Sequence, residues 1–221
     1  MTFPDLLLNR AGRLRSGWRL AIFTVVFLIV VRLLLGAFSL AVFTWSNGSI
    51  NSEQIEGTWG RVAQCLMMFV AALAVGWGCG YALEDLPGRA IGWALHRGWW
   101  RDLLTGSIVG AASLVFAALI AFTGGGLRFS LTSPQIPSAV LETTVGSALF
   151  FVVAAAAEEI LFRGYPLQTL LRAWPAWIAI VPSSAFFALA HLGNPNVTPI
   201  FTIINTTLAG VWLAVAYWRV R

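Results

Sequence analysis

The sequence predicts an all-α fold: a polytopic membrane bundle of about six transmembrane helices, forming a single membrane domain over residues 1–221. Of the 221 residues, 58% are hydrophobic and only 10% are charged, and the mean hydropathy is +0.80. A soluble domain carries roughly 25% charged residues, so this composition in water would expose large apolar patches. We therefore expect lipid to surround most of the chain.

Six apolar runs approach or exceed the length of about 20 residues that a spanning helix needs. The connections between them are polar or rich in glycine and proline, which is typical of turns and loops. The fourth run is longer than a bilayer requires. In chain order, the runs are Trp18 to Trp45, Val62 to Leu83, Leu103 to Phe122, Val140 to Leu171, Trp174 to His191, and Thr198 to Trp218.

The arginines predict an orientation, because cytoplasmic loops of membrane proteins carry an excess of basic residues. All 14 basic residues are arginine. The first apolar run is too long for a signal peptide, so we expect no cleavable signal. If six helices alternate, one side holds only Arg61 and Arg128. We predict a multi-pass protein of a bacterial-type inner membrane with both termini in the cytoplasm, the side that collects Arg10, Arg13, Arg15, Arg19, Arg89, Arg97, Arg101, Arg172, Arg219 and Arg221.

Several function classes lack their required residues. The arginines do not cluster on a polar helix, so we expect no nucleic-acid partner. No HExxH motif is present, which argues against a zincin protease, and no serine lies beside a base in its own segment. The aspartates lie near the ends of the runs or in the connections, unlike the paired membrane aspartates of an aspartyl protease: Asp5, Asp85 and Asp102.

Two adjacent acids, Glu158 and Glu159, lie within a strongly apolar run. An ionised residue near the bilayer centre costs about 2.5 to 3.5 kcal/mol. Arg163 follows Glu159 by four residues, the spacing at which the two side chains meet on one helix face. Glu158 has no such partner, and a carboxylate removed from water can act as a general base. The alternative is a structural pair that locks helices together, or acids at the cytoplasmic end of the helix.

His191 is the one histidine inside an apolar run, and it is expected at the same depth as Glu158. At 1.5 Å per helical residue, both lie roughly 21 to 24 Å from the turn at Arg172 to Pro175. An antiparallel hairpin would bring them to one level and favours a shared site, although a histidine at a helix end also serves as a polar cap. Asn205 lies in the sixth run, where it is either a structural hydrogen-bonding group or a site residue.

The combination of Glu158-Glu159-x-x-x-Arg163 on one apolar helix with Phe187-x-x-x-His191 on the next resembles the CPBP family. These are CAAX-processing and bacteriocin-processing intramembrane endopeptidases. The run from Asn205 to Gly210 is also similar. The resemblance covers approximately residues 140–221 and indicates a partial CPBP-like protease core.

The resemblance implies a helical bundle that hydrolyses peptides in the membrane, with CAAX-like or bacteriocin-like substrates. Glu158 would activate the water, and His191 would assist it or stabilise the oxyanion. Glu159 and Arg163 would support the site, with Arg163 in a position to meet a substrate carboxylate.

Phe187 and Asn205 would bind substrate or support the site, and the implied partners are membrane lipids and a peptide or protein substrate. The oligomeric state is left open. We expect no cofactor and no metal. A zinc ion would find at most three ligands, Glu158, Glu159 and His191, and adjacent glutamates diverge on a helix.

One departure from the family pattern concerns histidine. The family normally carries a further histidine in an HxxxN-type motif, whereas this sequence holds only His96 and His191, and we expect His96 to be a solvated side chain near the membrane surface. Two expectations follow: a truncated family member, or a short form with impaired catalysis. The alternative to a protease is that this impaired or truncated relative acts as a membrane scaffold or immunity-type protein.

Overall fold

A computed structural model describes residues 6–9, 11–48, 52–91, 96–128 and 136–220. The structure is 84% helical, and no strand occurs in these ranges. Within the same ranges, six helices are long and apolar enough to cross a membrane. The predicted fold class is therefore confirmed, and the chain is an integral, multi-pass membrane protein.

The α-helices of the described ranges follow the predicted runs closely. Short 3-10 turns at Gly88–Ile91 and His191–Gly193 follow the third and seventh helices. The helices are α1 (Ser16–Trp45), α2 (Ser52–Glu56), α3 (Thr58–Glu84), α4 (Trp99–Thr123), α5 (Ile136–Arg163), α6 (Tyr165–Ala173), α7 (Ala176–Ala190) and α8 (Pro199–Val220).

The long fourth run is divided into two helices, α5 and α6, at Gly164. Pro166 has no N–H to donate to the carbonyl of Phe162, and its ring would clash with that carbonyl in a continuous helix. Pro166 instead occupies the first turn of α6, where a missing N–H costs nothing. A Cβ atom on Gly164 would collide with the backbone carbonyl oxygen of Ile160, so only glycine fits this break.

The described residues fall into two compact units, one from residues 1–93 and 146–221 and the other from residues 94–145. In the second unit, α4 buries none of its residues. His96 Nε2 lies 3.1 Å from Asp102 Oδ2, and both side chains are about half exposed, which fits the solvated role expected for His96. The single membrane domain over residues 1–221 stays a prediction.

An aromatic core holds α1, α3 and α6 together in the larger unit. Phe23 and Phe27 of α1 stack with ring centroids 6.0 Å apart, and the ring of Tyr165 lies 5.5 Å from Phe23. These rings pack against small buried residues of α3, including Ala71 and Ala72. Small residues on one helix let bulky rings of its neighbours approach closely, which is how membrane helices gain packing energy without a hydrophobic driving force.

A buried ionic cluster joins the same three helices at one end. The Glu84 carboxylate at the end of α3 lies 2.9 Å from Arg19 Nη1 of α1 and 3.1 Å from Arg172 Nη2 of α6. Thr169 Oγ1 donates a hydrogen bond of 2.8 Å to the same carboxylate. We call Glu84, Arg19, Thr169 and Arg172 the Glu84 cluster. The Glu84 side chain is only 5% exposed, so its charge depends on these partners.

A second core lies where α6, α7 and α8 meet. Leu167 and Leu170 of α6 pack with Ala179 and Ile180 of α7 and with Ala214 of α8.

Beside this core, α7 and α8 approach each other closely. A Cβ atom on Gly210 would lie 2.9 Å from the Cβ of Ser184. Gln168 Nε2 donates to the Tyr217 hydroxyl at 2.5 Å, which ties α8 to α6. The three helices therefore form one packed group within the larger unit.

Replacing Glu84 with Gln should lower the free energy of unfolding by about 3 kcal/mol, because removing one partner of a buried ion pair leaves its arginines uncompensated. Asp85→Asn is the matched control, since Asp85 is 86% exposed and lies 3.7 Å from Arg13; its loss should stay below about 1 kcal/mol. Thermal or denaturant unfolding in detergent measures both. Equal losses for the two variants would contradict a structural role for the Glu84 cluster.

Replacing Gly210 with Ala should destabilise the protein by about 1 kcal/mol or more, because α7 and α8 must separate to admit the methyl group. Gly36→Ala is the control: a Cβ there meets nothing within 4 Å, and alanine favours a helix. The same unfolding measurement applies. If Gly210→Ala is as stable as Gly36→Ala, the described contact of α7 with α8 is not needed for stability.

Candidate active site

The structure brings together the two residues that the sequence predicts at one depth. Glu158 lies in the last two turns of α5, and His191 follows α7. His191 Nε2 is 3.7 Å from Glu158 Oε1, and the side chains are 23% and 35% exposed. The path from Glu158 through the end of α5 and α6 to Ala173 is about as long as the path from Ala176 along α7 to His191, which places the two side chains at one level. The pair is therefore partly buried and partly accessible.

Glu159 has a different partner from its neighbour. Arg163 Nη1 lies 3.0 Å from Glu159 Oε1, at the four-residue spacing of one helix face. Because adjacent residues point about 100° apart on a helix, Glu158 is left directed toward His191. The two carboxylates therefore have different neighbours: the Arg163 guanidinium lies beside Glu159, and the His191 imidazole lies beside Glu158.

Arg163 is held within the protein on two sides. Its side chain is only 4% exposed, and its guanidinium carbon lies 4.4 Å from the ring centroid of Phe187. The Phe187 ring in turn lies 4.4 Å from the His191 ring and 5.0 Å from that of Phe162. Phe187 thus contacts both the arginine and the histidine and fixes their spacing.

The hydrogen bond of His191 defines which ring nitrogen carries a proton. Nδ1 lies 2.8 Å from the carbonyl oxygen of Phe187. A carbonyl oxygen only accepts, so Nδ1 must donate. In the neutral ring Nε2 therefore carries the lone pair, and this is the atom that faces Glu158. The site can place one proton between Nε2 and the carboxylate.

Asn205 is exposed, and no described hydrogen bond or ion pair connects it to Glu158 or His191. It lies on α8, which packs against α7. Its predicted supporting role stays a prediction.

Metal donors do not converge in the described part of the chain: no group of three or more His, Cys, Asp or Glu side chains there is arranged to hold a metal ion. Glu158 and His191 supply two potential ligands, while Glu159 is engaged by Arg163. Catalytic zinc usually takes three protein ligands. The residues therefore fit a zinc ion poorly, and the expectation of no cofactor stays a prediction.

Sequence reasoning missed the Glu84 cluster. It placed Glu84 in a connection between apolar runs and counted Arg172 only among the arginines that predict the orientation of the chain. A signal was present. Glu84 ends a long apolar run, and an acid in the last turn of a helix is disfavoured by the helix dipole. An acid at such a position needs a cation or a hydrogen-bond donor nearby. The sequence alone does not say which of the 14 arginines supplies it.

The fold and this Glu–His site define a class: a polytopic membrane protein with a carboxylate and a histidine paired inside its helical bundle. Residues 140–221 match the family model described as "Rce1-like: Type II CAAX prenyl endopeptidase Rce1-like". The resemblance to CPBP membrane proteases is thereby confirmed for this region. Neither the curated proteins nor the solved structures yielded a match.

The adjacent glutamates should respond differently to the same isosteric change. Glu159→Gln should lower the free energy of unfolding by about 1 to 3 kcal/mol, because the buried Arg163 guanidinium loses its carboxylate. Glu158→Gln leaves that pair intact and should change stability by less than about 1 kcal/mol. Unfolding of both variants in one detergent provides the comparison. A larger loss for Glu158→Gln would contradict the described pairing.

Proposed function

We propose that this chain is an intramembrane endopeptidase that hydrolyses peptide bonds with a water activated by Glu158 and His191. The single observation that carries the proposal is the approach of His191 Nε2 to Glu158 Oε1, which are 3.7 Å apart and partly buried at two candidate membrane spans. The family match over residues 140–221 supports CAAX-type intramembrane proteolysis in general.

The separation of the two groups suits a shared water. At 3.7 Å they are too far apart for a good direct hydrogen bond. A water oxygen about 2.8 Å from each atom fits beside the line that joins them. Such a water touches a proton acceptor, the Glu158 carboxylate, and lies next to the imidazole.

The proposed reaction follows from those positions. Glu158 takes a proton from the water as its oxygen attacks the carbonyl carbon of the substrate, and a C–O bond forms. The proton then passes from the Glu158–His191 pair to the nitrogen of the leaving amine as the C–N bond breaks. Because Nδ1 keeps its hydrogen bond to the carbonyl oxygen of Phe187, the proton moves through Nε2. Once that proton has moved from Glu158 to Nε2, the same N–H donates a hydrogen bond to the oxyanion until the proton passes on to the amine.

Arg163 and Glu159 act as positioning residues in this proposal. The salt bridge and the stacking on Phe187 occupy the guanidinium, so a contact with a substrate carboxylate would have to displace one of them. We propose that Arg163 fixes Phe187 and thereby the ring plane of His191.

The substrate in this proposal is a membrane-associated peptide, of the CAAX-like type that the description of the matching family names. A site within the bundle favours a peptide that the membrane itself delivers.

The proposed location is a bacterial-type inner membrane, with both termini in the cytoplasm. The unequal distribution of the arginines supports this orientation. The structure adds that Arg19 and Arg172 belong to one cluster, so the start of α1 and the end of α6 lie on the same side.

Glu158→Gln and His191→Gln should each lower the rate of peptide cleavage about 100-fold or more, the size of effect expected for a lost general base or acid. The assay uses the full chain in proteoliposomes with a library of membrane-associated peptides, including prenylated CAAX peptides, read by mass spectrometry. Glu142→Gln is the matched control, since Glu142 is an exposed carboxylate on the same helix.

Two outcomes would overturn this proposal. Equal cleavage by the wild type and Glu158→Gln would remove Glu158 as the base. No cleavage by a folded wild type across the library would favour the scaffold or immunity-type interpretation, in which the same residues serve packing or partner binding.

A further inference from the structure

A second polar site lies at the Glu84 cluster, where a cavity of about 760 Å³ opens between the N-terminal segment, the first turn of α1 and the end of α6. Its size lies within the range of small-molecule sites. Three arginines line it: Arg15, Arg19 and Arg172. No residue of the Glu158–His191 pair contributes to it.

The cavity has an excess of positive charge. Arg19 and Arg172 share the single carboxylate of Glu84, so that pairing leaves one positive charge uncompensated. Arg15 adds another: its Nε donates to the backbone carbonyl of Leu8 at 3.2 Å, and no ion pair is described for it within residues 6–9, 11–48, 52–91, 96–128 and 136–220. An anion placed there would meet two surplus cations.

The first turn of α1 supplies further donors to the same cavity. Ser16 and Gly17 line it, and the first N–H groups of a helix have no partner within the helix. No side chain caps this end, and its first turn holds no acidic residue. The N-terminal end of a helix of this length carries a partial positive charge, which favours a phosphate or carboxylate.

An unsatisfied donor on Arg19 is the independent sign of a missing acceptor. Arg19 is 9% exposed and lines the cavity. Its Nη1 meets Glu84, but its buried Nε has no hydrogen-bond partner among the described residues. Leaving such a group unpaired costs about 1 to 3 kcal/mol. An anion that rearranges the guanidinium would restore the missing bond.

We infer that this cavity binds the phosphate group of an anionic phospholipid. The other lining residues favour a lipid over a soluble phosphate ester: Trp18 and Trp174 border the cavity, and tryptophan prefers the headgroup layer of a bilayer. Leu6 and Ala21 add apolar lining beside the arginines. Basic pockets beside transmembrane helices are known to take anionic headgroups.

Gly17 provides a clean test, because a Cβ there meets nothing within 4 Å. Gly17→Asp places a negative charge at the cavity while matching the helix dipole, so the fold is retained. Gly17→Asn is the neutral control of the same shape. Native mass spectrometry of the purified full chain, titrated with phosphatidylglycerol or phosphatidylcholine of the same acyl chains, measures binding.

We expect phosphatidylglycerol to bind about tenfold more tightly than phosphatidylcholine, and Gly17→Asp to weaken that binding about tenfold. Gly17→Asn and Glu158→Gln should bind like the wild type, which separates this site from the proposed catalytic one. Equal binding of the two lipids, or no difference between Gly17→Asp and Gly17→Asn, would overturn the inference. Glycerol phosphate that binds as tightly as the lipid would overturn the lipid assignment and identify a soluble phosphate ester as the ligand.

Discussion

The Glu84 carboxylate fixes the arrangement on which the rest of the larger unit depends. It ends α3, and it receives Arg19 from α1 and both Thr169 and Arg172 from α6. A buried charge is stable only with its partners in place, so the three helices are held in a single register at this end. Because α6 leads through a short turn into α7, the same interaction determines where α7 starts.

The Glu84 cluster is linked to the Glu158–His191 pair by two segments of chain of similar length. One runs from the turn after Ala173 back along α6 into α5, and the other runs forward along α7 to His191. The break at Gly164 lets α6 pack tightly in the core while α5 takes its own direction. The close contact of Ser184 with Gly210 then holds α7 against α8, so the histidine cannot easily slide away from Glu158.

The sequence predicts most of the fold because the length of an apolar run and the glycine and proline residues between runs are local properties. The Glu159–Arg163 pair and the shared depth of Glu158 and His191 are likewise predictable from helix geometry. The Glu84 cluster is not, because its partners Thr169 and Arg172 lie 85 and 88 positions away and only packing selects them. Gly164 and Pro166 are the local signal for the break in the fourth run, but a prediction from apolar length alone treats the run as one helix.

The two carboxylate sites differ in how completely their hydrogen-bonding capacity is used. Glu84 is 5% exposed and meets two arginines and a threonine, so no lone pair remains directed at solvent or substrate. Glu158 is 35% exposed, and its ion pair within the described ranges is with a histidine nitrogen at 3.7 Å, a distance that leaves its oxygen available to a water. A carboxylate whose hydrogen-bonding capacity is fully used stabilises a fold. A carboxylate with unused capacity costs stability and is suited to chemistry. This contrast supports the choice of Glu158 rather than Glu84 as the proposed general base.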